Sequence, residues 1–174
     1  MELDTVRARW VEATDCRPSP SARCGHVAVA VASEAWGGEL LIVHGGIDRS
    51  KEALADLSVL QCDQRVWFQP EARAVGPAAR AFHAGAAVGQ KLYVFGGHVF
   101  VKAQHKLHQF NDVWCLDTDS WEWARADVAP DAPAPCPRDR AAMTALPGGR
   151  LLVYGGADSQ NKRLDDAWVF DPET

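Results

Sequence analysis

Cysteine is sparse and unpaired in this sequence. Cys16, Cys24, Cys62, Cys115 and Cys136 make an odd count with no C-x-x-C among them, which suits reduced thiols packed as small apolar residues better than a disulfide framework or a zinc site. Long hydrophobic runs are missing too. Nowhere do about 18 apolar residues follow one another, and the start, MELDTVRARWVEATDC, has no apolar h-region, so neither a membrane span nor a signal peptide is visible and a cytoplasmic protein is expected. Nor is there an excess of positive charge. Lys plus Arg is 18 against 23 Asp plus Glu, a net charge of −5, which argues against a nucleic-acid binder. The sequence also lacks G-x-S-x-G, H-E-x-x-H, G-x-x-x-x-G-K-[ST] and a strand-GxGxxG-helix context, so no catalytic residue, metal or cofactor is expected.

What is present is a repeat. P-x-x-R occurs at Pro20–Arg23, Pro77–Arg80 and Pro137–Arg140, and an apolar run ending in two glycines occurs as LLIVHGG, LYVFGG and LLVYGG, giving Gly45, Gly46, Gly96, Gly97, Gly155 and Gly156. An Asp recurs at Asp63, Asp117 and Asp171, and a Trp at Trp10, Trp67 and Trp121. One such landmark would mean little, but an ordered set at a spacing of about 55 residues marks a repeat architecture.

Within each unit the segments are short, apolar and bounded by turn residues, the pattern of antiparallel strands. In unit two, His83–Val88 reads as strand a, Gly89-Gln90 as a tight turn, Lys91–Gly96 as strand b, Asp112–Asp117 as strand c and Trp121–Ala124 as strand d. Strand a falls at His26–Ala32 in unit one and Ala141–Leu146 in unit three, with Gly37-Gly38 and Gly148-Gly149 in the a-to-b turns; Tyr93 and Tyr154 take apolar positions in strand b. KEALADL (51–57) could form a helical turn but is too short to outweigh the pattern. Four short strands per unit at this period describe a propeller blade. The glycine pair after strand b, the Arg ahead of strand a, and NDVWCLDTDSWEW resemble the kelch repeat family over nearly the whole chain. Unit three departs with Met143 where the other units have His26 and His83.

The expectation is therefore an all-β chain of about three kelch-type blades in an incomplete ring. It reads as one region, 1–174, with units at 18–71, 75–126 and 135–174 and an outer strand at 6–13 that completes another blade. Trp67 and Trp121 are expected to cover the seams between blades. Propellers have four to eight blades, so the expectation is a piece of a longer propeller, with two copies closing a six-bladed ring as the alternative.

In a four-stranded meander the b-to-c and d-to-a loops share one face. The b-to-c loops carry formal charges of 0 (Asp48 and Glu52 against Arg49 and Lys51), +2 (Lys102, Lys106) and +1 (Asp158 against Lys162, Arg163). With the d-to-a loops at +1, +1 and −1 the face totals +4, leaving −9 elsewhere. Such a face suits another protein, in particular an acidic peptide segment. Its candidate contacts are Arg23, Arg80 and Arg140 in the P-x-x-R motifs, and Arg49, Lys102, His105, Lys106, His108, Lys162 and Arg163 in the loops. The competing role for the three motif arginines is to pair with carboxylates and hold the blades. His98, His105 and His108 share one loop but lack a compact partner for a metal, while Val99, Phe100, Val101, Leu107 and Phe110 suit adhesive contacts.

The kelch resemblance implies a protein-interaction module. Its alternative is part of a kelch-propeller enzyme or a metal-dependent specifier protein. For the latter, the iron-binding E-x-x-x-D-x-x-x-H pattern meets Glu52 and Asp56 but finds Leu60 in place of the His.

Overall fold

The computed structural model describes residues 16, 19–71, 75–129 and 131–173. Trp10 and the outer strand expected at 6–13 lie outside the described residues. The described residues are all β apart from one 3-10 turn. Blade 1 is the antiparallel sheet β1 (Val27–Ser33), β2 (Gly38–His44), β3 (Leu57–Gln61) and β4 (Val66–Phe68). Blade 2 opens with β5 (Ala84–Val88) and β6 (Lys91–Phe95). A separate hairpin follows, β7 (His98–Val101) and β8 (Lys106–Gln109), before β9 (Val113–Asp117) and β10 (Glu122–Arg125) finish the blade. Blade 3 contributes β11 (Ala142–Ala145), β12 (Leu151–Tyr154) and β13 (Ala167–Phe170). The three sheets do not close into a ring, and among the described residues no helix is long and apolar enough to cross a membrane.

Strand β5 neighbours both β1 and β11, and the composition of these strands follows from that crowding. β1 alternates Val with Ala, and Val27 and Val31 are buried while Ala28 and Ala30 are exposed, the period-two pattern of a strand with one covered face. Gly85 in β5 lies so close to β1 that a Cβ there would sit 2.5 Å from Val27 Cγ1. Two seams make the core. Val27, Ile42 and Val59 of blade 1 pack on Leu92, Leu116 and Trp123 of blade 2, and Tyr93, Phe95 and Val113 of blade 2 pack on Leu151 and Val153 of blade 3.

The strand registers correct the repeat alignment by two residues in two places. Leu60 faces Trp67 and Leu116 faces Trp123, so the equivalent of Trp67 is Trp123 rather than Trp121, and the equivalent of Asp117 is Gln61 rather than Asp63. Val27, Ala84 and Ala142 occupy matching positions opposite His44, Phe95 and Tyr154. Ala141, not Met143, therefore stands where units one and two have His26 and His83, and the third P-x-x-R is Pro135–Arg138 rather than Pro137–Arg140. Trp121 does cover a seam: its ring lies 5.8 Å from Trp36 and 5.9 Å from Phe68 of blade 1. Trp67 is half-buried in β4. Residues 51–57 form no helical turn.

Candidate functional site

The b-to-c and d-to-a loops emerge together, and one arginine per blade organises them. Arg23, Arg80 and Arg138 each point a guanidinium at the aspartate that precedes strand c of the same blade: Asp56, Asp112 and Asp166. Each pair is two-pronged, as in Arg80 to Asp112 at 2.7 and 3.1 Å. Each Arg also donates to the carbonyl of the first glycine of its pair, Gly45, Gly96 or Gly155, at 3.0 Å. Planar two-pronged pairing of this kind is what a guanidinium does better than an ammonium. The arginine backbone meanwhile reaches the preceding blade. Gly46 N–H donates to Arg80 O at 3.0 Å and Arg80 N–H to Leu54 O at 3.1 Å; Gly97 N–H donates to Arg138 O at 2.9 Å and Arg138 N–H to Phe110 O at 3.1 Å. A single residue thus fastens its own strands b and c by its side chain and two blades by its main chain. All six glycines of the pairs have positive φ, the conformation glycine adopts without strain.

The surroundings favour ionised aspartates. Burial opposes charge on Asp112, but the Arg80 hydrogen bonds and charge and the Trp114 indole outweigh it and hold the carboxyl below its ordinary range. Arg138, followed by the Trp168 indole at 2.7 Å, lowers Asp166 further.

Arg23 and Arg80, expected among the partner contacts, are therefore inside the blades, with side chains 5% and 0% exposed. Arg140 is different. It lies two residues past the fastening arginine, half-exposed, beside Asp139 Oδ1 at 2.8 Å and over the Phe82 ring at 5.3 Å. The three fastening pairs also alter the electrostatics of the face. Asp56, Asp112 and Asp166 sit just past the loops whose charge was summed, so pairing reduces the surplus of +4 by 3 to +1. What positive charge remains is local.

Its main concentration is the β7–β8 hairpin, where a plain loop was expected. The b-to-c segments of blades 1 and 3 adopt the same short turn. Asp48 accepts from the amides of Ser50 and Glu52, Asp158 accepts from those of Gln160 and Lys162, and Lys51 and Asn161 have φ near +60°. Blade 2 takes 15 residues from His98 to Asp112, where blade 1 takes 10 from Ile47 to Asp56. The extra length folds into a ribbon that turns at Lys102–Gln104, with His105 left-handed at φ 46°. The alternation in HVFV and KLHQ was the available signal, but two four-residue strands are too short to read with certainty from pattern.

The ribbon is tied on both sides. Lys102 pairs with Glu52 of blade 1, and Gln109 Nε2 donates to Ala157 O of blade 3 at 3.2 Å. His98 turns inward, its Nδ1 2.5 Å from Asp139 Oδ2. His108 pairs across the ribbon with Val99, and His98 with Gln109. Cross-strand partners share a face and neighbours alternate, so His98 and His108 project from opposite faces, and His98, His105 and His108 do not converge. Phe110 is not an adhesive tip, since it lies under Arg80 at 4.1 Å. Phe100 and Leu107, opposite each other, stay 48% and 49% exposed. Lys102, His105, Lys106 and His108 are exposed around them, as are Arg49, Lys162 and Arg163 on the flanking loops. Between Phe100 and blade 1 a cleft of about 270 Å³ is lined by Ile47, Lys51, Ala53, His98 and Lys102. The acids of the near-match to the iron pattern are committed elsewhere, Glu52 to Lys102 and Asp56 to Arg23.

Comparison with known sequences places this geometry. A family model described as the KLHDC2/KLHL20/DRC7 Kelch-repeats domain matches residues 1–174. Kelch domain-containing protein 1 of Mus musculus is 32% identical over 120 residues, which are 68% of this chain and 28% of that protein. Host cell factor 2 of Homo sapiens is 31% identical over 171 residues, covering 88% of this chain and 21% of that protein. Serine/threonine-protein phosphatase BSL2 of Arabidopsis thaliana is 31% identical over 170 residues, 95% of this chain and 15% of that protein. The chain thus spans less than a third of the length of each of these relatives.

Proposed function

The chain belongs to the kelch-repeat family, and from that premise we propose that it is a non-enzymatic protein-interaction module whose partner docks on the b-to-c and d-to-a face. The observation that carries this reading is the β7–β8 hairpin. It is an insertion that blades 1 and 3 lack, and it raises Phe100 and Leu107 into solvent beside Lys102 and Lys106. An exposed aromatic and aliphatic pair ringed by charge is the arrangement of an interface anchor. The partner segment lays apolar side chains on this pair and brings carboxylates to Lys106, Arg140, Lys162 and Arg163. Arg23 and Arg80 act from beneath by holding the loops in place.

Capture of proteins from a cell extract tests the proposal when three forms are compared: the wild type, the double variant Phe100→Asp/Leu107→Asp, and Val66→Asp. Val66 is equally exposed, at 48%, but lies on the outer strand β4. A partner retained by the wild type and Val66→Asp and lost by the double variant is the expected result. Equal retention by all three would remove the hairpin from the interface.

A further inference from the structure

The two blade seams share their main-chain fastening but differ in chemistry where the end of strand b meets the head of the next strand a. At the end of strand b, blade 2 has Phe95 where blade 1 has His44, and at the head of strand a, blade 3 has Ala141 where blade 2 has His83. Phe95 and Ala141 pack together as ordinary core. His44 and His83 instead face each other with Nδ1 of one 3.2 Å from Nε2 of the other, both side chains buried. The outer nitrogens, His44 Nε2 and His83 Nδ1, have no partner. A neutral imidazole has one N–H and one lone pair, and the contact uses one of each. Whichever tautomers are present, one donor and one acceptor stay buried and unsatisfied, a destabilising arrangement that Phe95 avoids. An architecture that accepts an apolar pair at one seam does not require two histidines at the other.

We propose that the seam between blades 1 and 2 is a proton-sensitive hinge: protonation of the His44–His83 pair loosens it, while the seam between blades 2 and 3 stays closed. A proton added to either ring meets surroundings that oppose it on balance: a hydrogen bond to the His44 backbone favours charged His83, but burial and the neighbouring positive charges outweigh it. The Trp123 ring packs on His44 at 5.1 Å, the positive charges of Arg80 and Arg23 bear on the site, and His26 adds to them when charged. Asp56 is the opposing charge, and Arg23 already holds both of its oxygens. Burial first, then Arg80, lowers His44 to about 4, with Asp56 partly offsetting them. His83 is also lowered, by burial and then by His44 and Arg80. An open seam returns these rings to water and to their ordinary pKa of about 6.5. Between these limits the open form binds more protons than the closed one, so closure is fully favoured above about pH 6.5 and weakens as pH falls toward 4. The hinge lies directly beneath the fastening main chain of Arg80. A Cβ on Gly45 would sit 2.8 Å from Arg80 O and 2.9 Å from His83 Cε1, so loosening the pair disturbs the Gly46–Arg80 bond that joins the blades.

Amide hydrogen exchange tests this within one molecule. Gly46 and Arg80 report the first seam, and Gly97 and Arg138 report the second. After correction for intrinsic exchange, protection at the first pair is expected to fall on the order of thirtyfold between pH 7.5 and pH 5.0 for one titrating histidine, with little change at the second pair. The double variant His44→Phe/His83→Ala, which copies Phe95 and Ala141, is expected to abolish the difference between the seams, and each single variant, which leaves one buried histidine, to reduce it. Should one variant fail to fold, the others and the wild-type comparison still decide. Equal loss of protection at both seams, or an undiminished difference in a folded variant, would overturn the proposal.

Discussion

Arg80 shows how much of this architecture a single side chain supports. Its guanidinium joins Asp112, Gly96 O and Ala78 O and rests on the Phe110 ring, with no part exposed. Replacing it by Ala strands Asp112, which is 13% exposed, and is expected to cost about 3–5 kcal/mol in urea unfolding. Arg140→Ala removes a half-exposed cation and leaves the buried Asp139 its His98 contact, so it is expected to cost less than Arg80→Ala. Equal costs would reject the assignment of Arg138, not Arg140, as the third fastening arginine. Asp112 adds an acid dependence. Its folded pKa is lowered, so its contribution is full above the ordinary aspartate value of about 4 and is lost as pH falls through the lower folded value. Asp112→Asn should therefore destabilise at pH 7 and flatten the decline in urea midpoint below pH 4. The misreading of Arg140 has a simple origin. APCPRDR contains two overlapping P-x-x-R frames, Pro135–Arg138 and Pro137–Arg140, and local sequence gives no reason to prefer one. The deciding information is a distant aspartate, Asp166, 28 positions away.

At the scale of elements, strand identity was legible because alternation and turn residues are local properties. β5, β6, β9 and β10 fall within one residue of the expected ends at every boundary. Register was less legible, since SWEW offers two tryptophans two residues apart and only the pairing of Trp123 with Leu116 selects between them. The hairpin was hidden because its two strands are four residues each, too short to read from pattern, and its ties to Glu52 and Ala157 lie outside its own sequence. The turn after strand b makes its own prediction. A Cβ on Gly96, with φ 68°, would lie 2.6 Å from Arg138 O, whereas Gly148, with φ 81°, has nothing within 4 Å. Gly148→Ala should cost about 1–2 kcal/mol, the strain of a left-handed Ala. Gly96→Ala adds a clash with seam backbone and should cost more, measurable as a larger fall in urea midpoint.

At the scale of the molecule, blade 3 repeats the sheet face that blades 1 and 2 cover. Val59 and Val169 occupy matching positions opposite Ile42 and Leu152, yet Val59 is 0% exposed and Val169 54%. Val59→Ala should cost on the order of 2 kcal/mol, while Val169→Ala should stay within about 0.5 kcal/mol. A large cost for Val169→Ala would mean that a blade-like sheet covers this face in solution, and a light-scattering mass of twice 18.9 kDa would identify that sheet as a second copy. Under the proposed function the blades present the loops, and the account stands on the separation of the two roles. The most direct test replaces residues 99–108 by Asn-Gly. His98 and Gln109 are cross-strand partners, so a two-residue turn can join them while their ties to Asp139 and Ala157 remain. The measurement is partner capture by this shortened chain, with circular dichroism and the urea midpoint as checks on the blades. The account predicts intact blades and a lost partner. A folded, shortened chain that still captures the partner as well as the wild type does would contradict it.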